Sequence, residues 1–281
     1  MHLGEPAAKI TPMTAKKLAR RLAVGAVAAV AAYLVLAYLA APFIWRHYEH
    51  QARLADLEAR TVTAQGIPGD VINIGLEGTE AEVVCAMTAA GWSPSDPVTL
   101  ASSLKIAGSV AFRRPYHRAP VSPLFFEGRS QDLAFEMPSG RSASTRHHVR
   151  FWKALDSGDD GRPVWLGAVT FDDRVGVSHY TGQITHHVAP DIDAERDFLS
   201  DGLARAKRVE TTYWVSGVGP TLFGRNGGGD PFFTDGEIAF AKLAPGCEAH
   251  EGTPVALAPP ARIAAKNAVF SWLVALWRKL P

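Results

Sequence analysis

Cysteine is scarce in this sequence: two residues, Cys85 and Cys247, in a chain of 281. Two cysteines exclude a disulfide framework and leave a single bridge open without implying one. His-Glu-x-x-His and Cys-x-x-Cys spacings are absent, so no metal site is expected from local motifs. Charge of one sign is not in excess either, with 29 Lys and Arg against 28 Asp and Glu and a net charge of +1. So balanced a chain lacks the basic footprint of a nucleic-acid binder. No motif recurs at a fixed period, which removes solenoids and propellers. At 47% hydrophobic and 20% charged residues, the chain is too apolar to be intrinsically disordered.

One long apolar run is present. Leu22 to Trp45 carries no charge. As a helix rising about 1.5 Å per residue it covers roughly 36 Å, enough to cross a hydrocarbon core of about 30 Å with some tilt. It exceeds the core of a signal peptide, about 7–15 residues. Lys9, Lys16, Lys17, Arg20 and Arg21 precede it, and Arg46, Arg53 and Arg60 follow. The basic bias places residues 1–21 in the cytoplasm and the remainder outside, the expectation being a single-pass membrane protein. Residues 46–61 continue as a polar juxtamembrane helix or linker, 62–243 form the main domain, 244–262 are a Pro/Gly/Ala-rich linker, and 263–281 form an amphipathic C-terminal helix. In that last segment Asn267, Ser271 and Arg278 oppose Phe270, Leu273 and Trp277, the pattern of a helix lying at a membrane interface or packed on a partner.

Within the main domain, Thr79 with Glu82 three residues on forms a capping box that opens a helix, and Gly91 closes it. Strands are expected at 124–127, 132–137, 147–154, 163–171, 177–188, 210–216 and 237–243, with a helix from about Ile192 to Lys207. The fold class is therefore α+β, a mostly antiparallel sheet with at least two helices behind one transmembrane helix. Gly217–Gly236 shows no periodicity and reads as a long loop.

The stretch HYTGQITHHVAPDIDAERD, 179–197, concentrates histidines and carboxylates. Read as one strand with a bulge at Gly182, it puts His179, Thr181, Gln183, Thr185 and His187 on a polar face and Tyr180, Ile184 and Val188 on the other. His179 and His187 then stand roughly 26 Å apart, too far to share an ion, so neither metal nor cofactor is expected. Asp191, Asp193 and Glu195 fall at a helix start, where carboxylates meet free N–H groups. Strand 147–154 alternates too: His148, Arg150 and Trp152 oppose Val149 and Phe151. If 147–154, 163–171 and 177–188 form a meander, His148 and His179 lie about 10 Å apart, with Arg150 and Thr181 beside them. Such a group suits acid–base work on an anionic ligand: His148 and His179 as acid and base, Thr181 assisting, Arg150 and Arg225 holding the anion. Arg113 and Arg114 add a basic cluster able to meet lipid phosphates.

The segments PVSPLFFEGRSQDLAFEMP, RHHVRFW, TGQITHHVAPDIDAERDFL and NGGGDPFFTDG occur in this order. Together they resemble the LssY-type C-terminal domain family over roughly 62–243. The resemblance implies a bacterial envelope protein and carries no established activity; relatives are often fused to membrane modules, some of them lipid-phosphatase-like. Two expectations follow: a hydrolase of phosphorylated lipid or envelope substrates, or a non-catalytic module that binds a lipid head group or another membrane protein.

Overall fold

The structure is a computed structural model. It describes residues 15–40, 51, 53–54, 57–96, 121–140, 144–215, 223–259 and 261–277. The chain divides into two units, Met1–Ile44 and Trp45–Pro281. The first holds α1, Ala15–Val35, continued by a π-helical turn at Leu36–Ala40. Within these 26 residues an 18-residue window has a mean hydropathy of 2.3 and buries nothing, so they are a candidate membrane span. The helix begins seven residues before the uncharged run, taking in Lys16, Lys17, Arg20 and Arg21.

In the second unit the order is β1 (Arg60–Val62), β2 (Pro68–Val71), β3 (Ile74–Glu77), α2 (Glu80–Ala89), β4 (Ser93–Pro94), β5 (Phe125–Phe126), β6 (Arg129–Ser130), β7 (Leu133–Pro138), β8 (Arg146–Leu155), β9 (Val164–Val177), β10 (Ile184–Val188), α3 (Ile192–Arg205), β11 (Val209–Val215), β12 (Phe223–Arg225), β13 (Pro231–Phe233), β14 (Ile238–Leu243), β15 (Val255–Ala256) and α4 (Ala261–Trp277). The main sheet runs β15-β11-β14-β3-β9-β8-β7-β4, with β10 also pairing β9. It is antiparallel except at β14–β3 and β11–β15. A small sheet, β2-β1-β5-β6, lies apart from it.

Alternation along the strands builds two cores. Val149 and Phe151 of β8, Trp165 and Val169 of β9, and Ala239, Ala241 and Leu243 of β14 pack with Val83 and Met87 of α2 and Leu199 and Leu203 of α3. The opposite parity, Trp152, Val164, Leu166, Ala168, Ile238 and Phe240, packs with Leu124 and Phe126 of the small-sheet side. Each face of the main sheet therefore has its own cover, and residues two apart meet the same neighbour. The capping box of α2 forms as expected, with Thr79 and Glu82 each accepting from the other's backbone N–H. Cys85 of α2 and Cys247 are joined by a disulfide. Asn73 binds both backbone groups of Val169 and the carbonyl of Ile192, locking β9 to α3.

Several expectations need correction. Residues 177–188 are not one strand. β9 ends at Val177, a turn covers 178–183, and β10 returns along β9. Ser178 makes the turn: its N–H donates to Gln183 O, its carbonyl accepts from Gly182, and its Oγ accepts from Tyr180 and Thr181 N–H. Gly182 sits at φ 69°, which glycine adopts freely. The polar/apolar split that favoured one strand leaves Tyr180 and Ile184 outside, Ile184 at 82% exposure. Nor does a helix continue through the described residues of 46–61. Gln51 is buried, its amide donating to Glu77 and Tyr213, and Leu54 joins the core. The loop 217–236 contains the hairpin β12–β13, and the linker 244–262 contributes β15 to the main sheet. Of the two faces expected of α4, only Ser271 has a described side chain, and it is exposed; the others lie outside the described ones.

Candidate functional site

On β8 and β9 the face that is apolar at Trp152 and Leu166 turns polar farther along. The register pairs Arg150 with Ala168, His148 with Thr170 and Arg146 with Asp172, while Glu136 of β7 lies opposite His148. All of these residues are buried. The face borders a recess of about 300 Å³ lined by Asp70, Ser122, Arg146, His148, Arg150, Asp172, Ser178, Thr181, His186 and the Asn226–Gly228 turn, among others. β2 supplies Asp70, β8 and β9 the floor, and the β9–β10 hairpin one wall.

The charges of this floor are paired. Arg146 Nε donates to Asp172 Oδ2 at 2.9 Å, and its Nη1 lies 3.6 Å from Glu136. Arg150 Nη1 donates to Asp70 Oδ2 at 3.1 Å and to His148 Nε2 at 2.9 Å, and its Nε to Ser122 O at 2.9 Å. A guanidinium has no acceptor, so His148 Nε2 carries the lone pair and its proton sits on Nδ1. That Nδ1 stands 3.2 Å from Asp172 Oδ2, too bent for a well-formed hydrogen bond. Thr170 Oγ1, 2.9 Å from Nε2, shares the same lone pair. Burial pushes the His148 imidazole below its usual value, with Asp172 opposing and Arg150 adding to the fall. Burial alone would raise Asp172, but His148, Arg146 and His186 outweigh it and hold the carboxyl well below the ordinary carboxylate range. Burial lowers Arg150 from its usual value, with Asp70 and Asp172 opposing.

The expected site residues are thus only partly gathered. His148, Arg150 and Thr181 share the recess; His179 and Arg225 are not among its lining. Because the chain turns at 178–183, His179 instead meets His187, ring centroids 5.4 Å apart, and the carboxylate of Asp230. The separation of roughly 26 Å expected between these histidines held only for a continuous strand. His187 Nδ1 lies 2.5 Å from Asp230 Oδ1 and His179 Nε2 3.8 Å from the same atom. The three side chains form a group able to hold a metal ion. Arg225 Nη1 donates to Gly229 O at 2.7 Å. Arg113 and Arg114 lie outside the described residues. Neighbouring histidines do face opposite ways: His147 leaves the recess to stack on Phe198 at 4.3 Å and to meet Glu195 at 2.8 Å.

Arg146, Asp172, Asp70 and His186 were missed from sequence. Their signal was faint: basic residues at 146, 148 and 150, every second position of a strand that buries the opposite parity. His186 Nδ1 stands 3.9 Å from Asp172 Oδ2, its side chain 16% exposed.

The family model described as LssY C-terminus matches residues 52–238. No curated protein and no solved structure matches the chain.

Proposed function

The chain belongs to the LssY C-terminus family, and on that premise we propose that it is a membrane-anchored module whose recess binds the head group of a zwitterionic phosphate ester lipid. The observation that carries this reading is the alternation of sign in the recess, with Arg146 and Arg150 set against Asp70 and Asp172. Guanidiniums alone would suit a bare anion. Paired with carboxylates they suit a ligand carrying both signs, phosphate toward Arg150 and ammonium toward Asp70. Among the described residues no partner engages Arg150 Nη2, which leaves two N–H donors for a phosphate oxygen. A volume of about 300 Å³ matches the small end of ligand sites.

Membrane lipids are the partner that an apolar helix of 26 residues on the same chain brings within reach. The orientation follows the basic residues before the span, with the N-terminus cytoplasmic and the domain outside an inner membrane. The Cys85–Cys247 disulfide supports that side, since such bonds persist in oxidising compartments.

One observation favours hydrolysis as a second reading: His186 lines the recess beside Asp172, an imidazole backed by a carboxylate and able to take a proton from water. His148 is unsuited to that role, being buried with its lone pair engaged. The test uses the full chain in nanodiscs of phosphatidylethanolamine or phosphatidylglycerol, with soluble phosphoethanolamine as competitor. Recess resonances that shift with phosphatidylethanolamine, and are lost in Arg150→Gln, support binding. Equal response to both lipids, or no response, refutes it. Hydrolytic release of the head group from phosphatidylethanolamine, as ethanolamine or phosphoethanolamine, abolished by His186→Ala, would establish the second reading.

A further inference from the structure

We propose that His179, His187 and Asp230 form a binding site for a first-row divalent metal ion of the zinc type. The donors come from three segments, the β9–β10 turn, strand β10 and the β12–β13 turn, and all lie within 4.8 Å of one another. Two imidazoles and one carboxylate are a borderline-soft set that suits zinc and its neighbours and disfavours calcium or magnesium, which take oxygen ligands.

The carboxylate is already oriented. Asp230 Oδ2 accepts from Val188 N–H at 3.1 Å and faces the Asn226 amide at 3.4 Å, which leaves Oδ1 toward the two imidazoles. Asn226 Oδ1 in turn accepts from Gly228 and Asp230 N–H, holding the turn that carries the carboxylate. Supports of this kind fix ligand direction around metal ions. The His179 N–H donates to Gly228 O at 2.9 Å, tying the two turns together.

Two glycines make room for the rings. A Cβ at position 229, where φ is 90°, would come within 2.7 Å of His179 Cβ, and one at 176 within 2.4 Å of His187 Nε2. The sequence Asn-Gly-Gly-Gly-Asp between β12 and β13 is thereby accounted for at its last glycine.

Around a tetrahedral ion with bonds of about 2.0–2.1 Å, donors stand roughly 3.3 Å apart. His187 Nδ1 and Asp230 Oδ1, now at 2.5 Å, must open by under about 1 Å, and His179 Nε2, at 3.8 Å, must close by about half an ångström. As the ion takes Nδ1 of the neutral His187 ring, the proton that faced Asp230 moves through solvent to Nε2, so the ring remains a neutral ligand. The His179 side chain is 57% exposed, so the remaining coordination position opens to water, as in sites that act on a ligand rather than only brace a fold.

The experiment titrates Zn²⁺ into the untagged full chain in detergent micelles against a chromophoric competitor, with thermal melting in parallel. One Zn²⁺ per chain, a raised melting temperature and two imidazole nitrogens at about 2.0 Å by X-ray absorption are expected. His179→Ala, at an exposed position, is expected to melt like wild type without metal and to bind Zn²⁺ at least about tenfold more weakly. Ca²⁺ and Mg²⁺ are expected to leave the melt unchanged. The proposal is overturned if wild type binds no Zn²⁺ at micromolar free concentrations, or if His179→Ala binds it as tightly as wild type.

Discussion

Replacing Arg146 by methionine tests whether the polar floor of the sheet is held by its ion pairs. Arg146 is 3% exposed and faces two carboxylates, Asp172 and Glu136, each 1% exposed. Methionine keeps most of the stem and removes the charge. Two buried acids then lose the guanidinium they share, and Asp172 is left with the Coulombic pull of Arg150. Removing one partner of a buried pair costs about 3–5 kcal/mol, against about 0–1 for a pair in water. For a domain of this size that corresponds to a loss of roughly 6–20 °C in Tm. Urea unfolding followed by fluorescence of the buried Trp152 and Trp165 measures it. The double variant Arg146→Met/Asp172→Asn is expected to be more stable than Arg146→Met alone, because one stranded charge is gone. The pH dependence supplies a sign. Against burial, His148 and Arg146 hold Asp172 low, so its contribution is in place above the unfolded carboxylate value of about 3.9 and is lost as pH falls below it. Arg146→Met is expected to lose less stability than wild type on acidification through this range, because Asp172 is no longer held as low. A cost below about 1 kcal/mol, or a double variant worse than the single, would refute the reasoning.

Other consequences are open to measurement. Reducing Cys85–Cys247, which spans 162 residues, is expected to lower stability by up to about 5 kcal/mol on loop entropy; a melt unchanged by reductant contradicts the bond. Asn73→Ala strips partners from Val169 and Ile192 and is expected to cost about 2–4 kcal/mol, with faster amide exchange at the start of α3. Glu82 is pulled down to about 2 because, against burial, the N–H groups of Gly246 and Thr79 and the Arg162 guanidinium hold its charged form. Its support of α2 is therefore complete above about 4.3 and lost as pH falls through that lowered value. Glu82→Gln is expected to cost about 1 kcal/mol at neutral pH, solvent screening keeping the figure small.

Local chemistry was legible in the sequence where it is short-range. The Thr79/Glu82 box, the alternation of Val149 and Phe151 against His148 and Arg150, and the helix after Asp191 all depend on neighbours within a few residues. The hairpin at 178–183 was not legible, because a clean alternation continues through it and the hydroxyl of Ser178, which closes the turn, resembles any polar strand residue. That one reversal decided the site. It took His179 away from His148 and brought it to His187 and Asp230. The Arg146–Asp172 pair was hidden for a related reason: it exists only in the register of β8 on β9, which long-range packing sets. Asp70 reaches Arg150 across 80 positions of chain, a separation over which periodicity says nothing.

The short strand β15 has a mechanical consequence for the end of the chain. It is laid in parallel against β11, so residue 256 is pinned to the rim of the main sheet while α4 starts at Ala261. Five residues at full extension reach about 18 Å at most. Whatever surface α4 engages, lipid or protein, must come that close to the β11 edge, so the tail works as a short tether that fixes which side of the domain its target approaches.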